Sequence, residues 1–139
     1  EELVNLFSQI GLLFQMQDDV LDCFGNKGRM QGADLCEGKV SALVVQHLYL
    51  HPQDTSYFVS ILSSEAPLSK HTIEQCIDIF EQSGALQLTL TEIQVLEDDI
   101  YTSEVLNRYP RLKVQVEMLL DTIMTPIQHL FERPLEMSQ

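Results

Sequence analysis

FQMQDDVLD, residues 14–22, places three carboxylates within two turns of a stretch that otherwise has the spacing of a packing helix. Leu3, Phe7, Ile10, Phe14, Leu21 and Phe24 recur at intervals of three, four and seven, which predicts one long helix with an apolar stripe, closing near Gly25. On a helix of 3.6 residues per turn, Gly11, Gln15, Asp18 and Asp22 fall within about 60° of one another beside that stripe, and Asp19 leans to the same side about 80° from Gly11. The acids therefore border the core. Like charges at this spacing cost about 0.2–0.5 kcal/mol per pair even when exposed, and more when partly desolvated. Something positive belongs beside them. A hard divalent cation fits, because Mg2+ binds through one or two carboxylates, keeps several waters and shares oxygens with phosphates. Gly11, one turn before Gln15, leaves room for a ligand to approach the helix. Taken alone, DDVLD also fits a solvated acidic face in an acidic protein.

Beyond Gly25 the pattern changes. GNKGRMQGADLCEG, residues 25–38, holds four glycines and no periodicity, so it reads as a loop. VSALVVQHLYL then predicts a helix that stops at His51-Pro52, although Val44 and Val45 would also suit a strand. Asp54 is placed to cap a short helix through Leu62, and Ser69 another through Ile73, Ile77 and Phe80 to Gly84. A longer helix is expected from Ala85 to about Tyr109, with Leu86, Leu90, Ile93, Leu96 (or Glu97) and Ile100 inward. Pro110 opens the last helix, which runs through Phe131 with a kink at Pro126. Nearly every element is helical, and no linker or repeat divides residues 1–139. The expected fold is all-α, an antiparallel helical bundle forming one domain or half-domain.

With 8 Lys plus Arg against 21 Asp plus Glu, the 139-residue chain has a formal charge of -13. That field repels polyanions, which disfavours nucleic acid and anionic lipid as partners. No apolar stretch approaches the roughly 20 residues of a membrane span, and EELVNLFSQ lacks the basic start of a signal peptide. Cys23, Cys36 and Cys76 are odd in number, widely spaced and without metal-ligand pattern, so a reducing, cytoplasmic location is expected. His47 and His51 could share a helix face, but without the Glu of a zinc motif they read as ordinary helix-end histidines. Asp98-Asp99 has Thr102 where a third carboxylate would sit, and reads as a solvated face.

The glycine-rich stretch changes the odds for the acidic turn. It delivers Lys27, Arg29 and Lys39, three of only eight basic residues, close in sequence to the carboxylates. Metal-binding acids plus cations are what a diphosphate needs, both in the ground state and as it leaves.

On these residues the chain resembles the C-terminal half of the trans-prenyltransferases, the farnesyl and geranylgeranyl diphosphate synthases of the class I isoprenoid synthase fold. GLLFQMQDDVLDCFG is similar to that family's second aspartate-rich motif, GxxFQxxDDxxD, and GRMQGADLCEGK to the loop that follows it. The likeness is close over about residues 3–45. It implies that Asp18 and Asp22 bind Mg2+ bridging an allylic diphosphate, with Asp19 supporting them directly or through water. It further implies that Gln15 turns its amide oxygen toward the allylic cation, that Phe14 lines the cavity, and that Lys39 binds diphosphate. Arg29 stands where some members have lysine, which keeps the charge but makes the contact a fork. In such enzymes the allylic cation left by the departing diphosphate is attacked by the double bond of isopentenyl diphosphate. DDVLD also differs from the NSE- or DTE-type motif of related cyclases, which favours elongation.

The family also needs an earlier DDxxD with basic residues for isopentenyl diphosphate, and neither occurs here. The resemblance therefore implies that the N-terminal half of the synthase, in the same or a separate chain, is a partner, and that the complete enzyme is a homodimer. A half-bundle alone would expose the apolar faces of its first and last helices. The chain could be a fragment, one half of a split enzyme, or a catalytically silent homologue that binds and modulates a synthase. DLCEGKVS resembles geranylgeranyl synthases and LDCFG farnesyl ones, so product length stays open.

Overall fold

The structure, a computed structural model, describes residues 1–25 and 31–131. Arg29 and Lys27 lie outside the described residues. Helix α1 runs over Glu2–Phe24 and ends where the Gly25 N–H donates to the Leu21 carbonyl. A short turn, α2, occupies Ala33–Cys36 within the expected loop. Helix α3 covers Ala42–Leu50, with the Ser41 hydroxyl accepting from the Val44 N–H at its start. It is a helix despite its valines, because that cap fixes the first turn and one face is buried.

A 3-10 turn at Pro52–Asp54 leads into α4, Thr55–Leu62, and α5 follows over Lys70–Gln82, capped by Ser69. Asp54 stands at the start of α4 but caps no N–H. Its Oδ2 instead lies 2.7 Å from Nε2 of His47. His47 is buried, with its ring against those of Phe58 and Phe80, so it ties α3 to the head of α4 rather than fraying at a helix end.

The helix expected from Ala85 to Tyr109 is two helices, α6 over Ala85–Tyr101 and α7 over Glu104–Arg108. Both the N–H and the hydroxyl of Thr102 donate to the Asp98 carbonyl, and Ser103 then leaves helical geometry at ψ 130. The break turns Val105 and Leu106 into the core. Helix α8, Pro110–Met124, starts on its proline. The kink expected at Pro126 is a 3-10 turn, Thr125–Ile127, before α9, Gln128–Phe131.

Among the described residues there is no strand, and the fold is all-α as its periodicities require. Helices α1 and α6 pack along one another at the centre. Helix α3 lies against both, α5 covers α6, and α8 covers α1. The buried stripe of α1 is shifted from the expected one: Ile10 is shared, but Phe7 and Phe14 fall outside it. Leu6, Ile10, Leu13 and Val20 are buried, whereas Phe7 and Phe14 are 52% and 55% exposed. Leu3, Leu21 and Phe24 are only partly buried at the margin. The helix is apolar on two sides, and the aliphatic side, with Leu6, Leu13 and Val20, is the one turned inward. No described helix is long and apolar enough to cross a membrane.

Two measurements check this arrangement. Leu13→Ala, at a fully buried position, should lower unfolding free energy by about 2–5 kcal/mol, and Phe14→Ala by less than about 1 kcal/mol in the isolated chain, both read from urea titrations. Cys23 and Cys76 are buried, and burial raises both thiols, Cys76 to about 11. A thiol reagent applied to the native protein should therefore modify partly exposed Cys36 first, with the other two reacting only after unfolding.

Candidate metal centre

The second half of α1 carries the acids, and two of them bind backbone. One oxygen of Asp19 accepts the Ala42 N–H at 2.8 Å, at the first residue of α3. One oxygen of Asp22 accepts the Asp34 N–H at 3.2 Å, in the first turn of α2. Both N–H groups belong to the set a helix start cannot satisfy internally, and both sit at the positive end of a peptide dipole. Part of the positive charge that the cluster calls for is therefore the protein's own backbone.

These caps decide which carboxylates meet. Among the described residues, Asp18, Asp19 and Asp34 each bring one carboxylate oxygen within 4.8 Å of the others. Asp22 is 1% exposed, and its carboxylate lies at the junction of α1 and α2, outside that trio. Asp34 joins the cluster from outside the motif on α1. Its signal was the GAD of residues 32–34, but nothing in linear spacing says that this turn folds back onto Asp18.

Glycine geometry enables the fold-back at two points. Gly32 has φ 77, and a Cβ there would lie 2.5 Å from Cγ2 of Ile73. Gly38 has φ 74, and a Cβ there would lie 2.7 Å from the Leu62 carbonyl oxygen. Side chains are excluded at both, by backbone conformation and by contact. After Gly38, the Lys39 N–H donates to the Asp34 carbonyl at 2.9 Å, and Lys39 Nζ lies 3.2 Å from Glu37 and 3.8 Å from Asp34. The exposed ammonium thus stands at the rim of the trio.

The donor set is three hard carboxylate oxygens with no nitrogen or sulfur. That is the chemistry of a hard divalent cation such as Mg2+, Mn2+ or Ca2+ rather than of zinc. Asp18 is reachable from solvent, as an ion that keeps several waters requires. Gln15 and Phe14 are exposed on the same side of α1, within an arc of about 100° that includes Gly11 and Asp18. A Cβ at Gly11 would meet nothing within 4 Å, so that surface is open. Val4 and Phe7 extend it as apolar ground toward the start of the helix. Asp98 and Asp99 are both exposed near the end of α6.

The profile of the polyprenyl synthetase family matches residues 1–80, from α1 into α5. The chain belongs to that family. It is similar to a short chain isoprenyl diphosphate synthase of Methanothermobacter thermautotrophicus, 35% identical over 82 residues that make up 56% of this chain and 24% of that protein. It is also similar to a protein of the same description from Methanocaldococcus jannaschii, 31% identical over 86 residues, 60% of this chain and 26% of that one. The matched part is thus about a quarter of the length of these curated relatives. No solved structure matches the chain.

Burial pushes the Asp19 carboxyl above its ordinary value of 3.8; the Ala42 N–H and Lys39 oppose the rise, while Asp34 and Asp18 add to it. A proton held more tightly folded than unfolded stabilises the fold below pH 3.8, and that contribution is lost as pH climbs through the raised value. Urea titrations from below pH 3.8 to neutrality should show this loss. Mg2+ should reduce it by favouring the ionised form, and Asp19→Asn should remove the Asp19 part of the dependence.

Proposed function

We propose that this chain supplies the diphosphate-binding segment of a short-chain prenyl diphosphate synthase, which joins isopentenyl diphosphate head-to-tail to an allylic diphosphate. The observation that carries this reading is the convergence of Asp18, Asp19 and Asp34 with Lys39 at the rim. The family match over α1 to α5 and the description of the two relatives support it.

The residues divide the work by chemistry. Asp18, Asp19 and Asp34 would hold Mg2+, which when bound neutralises diphosphate oxygens and so favours their departure from an allylic carbon. Lys39 adds a mobile cation for the same oxygens, at a position where Glu37 and Asp34 keep it charged. Arg29 is proposed as a second cation. Gln15, exposed one turn before Asp18 and Asp19, has an amide oxygen suited to a carbocation, since it offers partial negative charge without being a strong base. Phe14 offers an aromatic face to the isoprenoid chain.

The open side of α1, with Val4, Phe7 and Phe14, is where the N-terminal half of the synthase, in the same or a separate chain, would close the cavity and bring the isopentenyl diphosphate site. On α8, Val114 and Met118 are likewise exposed. Joining the two substrates requires that other half, and a homodimer of the complete enzyme is part of the same reading.

Mg2+ with inorganic pyrophosphate should raise the melting temperature of the 139-residue chain, and Asp18→Asn or Lys39→Ala should shrink the rise. In a complete synthase carrying this segment, Asp18→Asn should cut isopentenyl diphosphate incorporation by about a hundredfold. No thermal response in the chain and no incorporation by the complete synthase would remove the reading.

A further inference from the structure

We infer that Asp22 is a positioning residue: its buried carboxylate anchors the first turn of α2 to the end of α1, so that the Asp34 side chain reaches Asp18 and Asp19. This rests on the metal reading above, and assigns Asp22 a different place in it from the ligand role that its motif position implies.

The geometry separates the two roles. Asp22 holds the turn at two points, since its carbonyl accepts the Gly32 N–H at 3.0 Å and its carboxylate the Asp34 N–H at 3.2 Å. Between those contacts the chain is fixed at Gly32, which is pressed against Ile73 of α5. Asp34 is therefore held through its own backbone by the residue that its side chain would replace at the metal. Magnesium binds oxygens at about 2.0–2.1 Å, so two ligand oxygens on one ion lie no more than about 4.2 Å apart. Adjacent ligands of an octahedral ion lie about 2.9 Å apart, so the trio, whose oxygens lie within 4.8 Å of one another, needs a closure of at most about 2 Å, which rotation of the side chains supplies. Asp22, at 1% exposure, would have to release the Asp34 N–H and leave its buried setting to reach a hydrated ion.

The capping role needs an oxygen acceptor, whereas the ligand role needs a charge. Asp22→Asn keeps the first and removes the second; Asp22→Ala removes both. Mn2+ titrations of the 139-residue chain followed by electron paramagnetic resonance, with circular dichroism to verify folding, distinguish the roles. Asp18→Asn and Asp34→Asn should weaken Mn2+ binding about tenfold or more, as loss of a ligand does, and Asp22→Ala about tenfold, as loss of an orienting partner does. Asp22→Asn should stay within about threefold of the unmodified chain.

Asp22→Asn as damaging as Asp18→Asn would overturn the inference, and so would Asp22→Ala or Asp34→Asn without effect. A second measurement needs no variant. On adding Mg2+ to the unmodified chain, the carboxyl carbon resonances of Asp18 and Asp34 should shift and that of Asp22 should stay nearly still; an equal shift at Asp22 would reject the positioning role. Failure of the unmodified chain to bind Mn2+ at all would instead refute the metal reading on which it rests.

Discussion

The arrangement depends on carboxylates of α1 accepting backbone N–H groups from the starts of the next two helices. Asp22 takes one from α2 and Asp19 one from α3. Each is a charge-assisted bond to a donor that its own helix cannot satisfy, and a cap of this kind contributes about 0.5–2 kcal/mol. The contribution opposes a real penalty. Asp19 is partly buried beside two other acids, and desolvation leads the causes that raise its pKa. The acids are thus bound to two helix starts and repelled by one another. In the proposed function a cation would relieve the repulsion while these oxygens keep their backbone donors, so that one acidic turn would serve both structure and metal binding.

What could be read from the sequence was what local chemistry determines. The end of α1 at Gly25, the Ser69 cap of α5, the Pro110 start of α8 and the interruption at Pro126 each follow from residues within a turn of the feature. The buried side of α1 could not be chosen that way. Leu6, Leu13 and Val20 repeat at seven residues just as Phe7, Phe14 and Leu21 do, and only the neighbouring helices decide between them. The break at Thr102-Ser103 was hidden for a related reason, because an apolar rhythm continues across it and burial of Leu106 selects the bend. Within the site, Asp18 and Asp19 were legible from spacing on one helix. The recruitment of Asp34 and the burial of Asp22 were not, since both depend on a contact between residues twelve positions apart.

A helix apolar on two sides has more apolar surface than one neighbouring layer covers. In α1 one side meets α3 and α6, and the other carries Val4, Phe7 and Phe14 toward solvent, in line with Asp18. Exposed apolar ground that leads into a polar cluster is the mixture from which binding sites are built, and in the proposed function hydrocarbon would lie along the helix and charge at its end. His47 supports the opposite side of the same framework. Its contact with Asp54 fixes α3 to the head of α4, so the backbone donor that Asp19 receives belongs to a helix held at both ends.

Gly38 gives the chain between α2 and α3 a property that its glycine content disguises. A left-handed residue lodged beneath the Leu62 carbonyl makes this segment an elbow with a set angle rather than a tether. Lys39 is consequently mounted on stationary main chain. For its ammonium to meet an anion, as proposed, would cost side-chain rotamers, at most about 2 kcal/mol of entropy, and a rearrangement of its exposed contacts with Glu37 and Asp34, while the larger ordering cost of a loose loop was met when the protein folded.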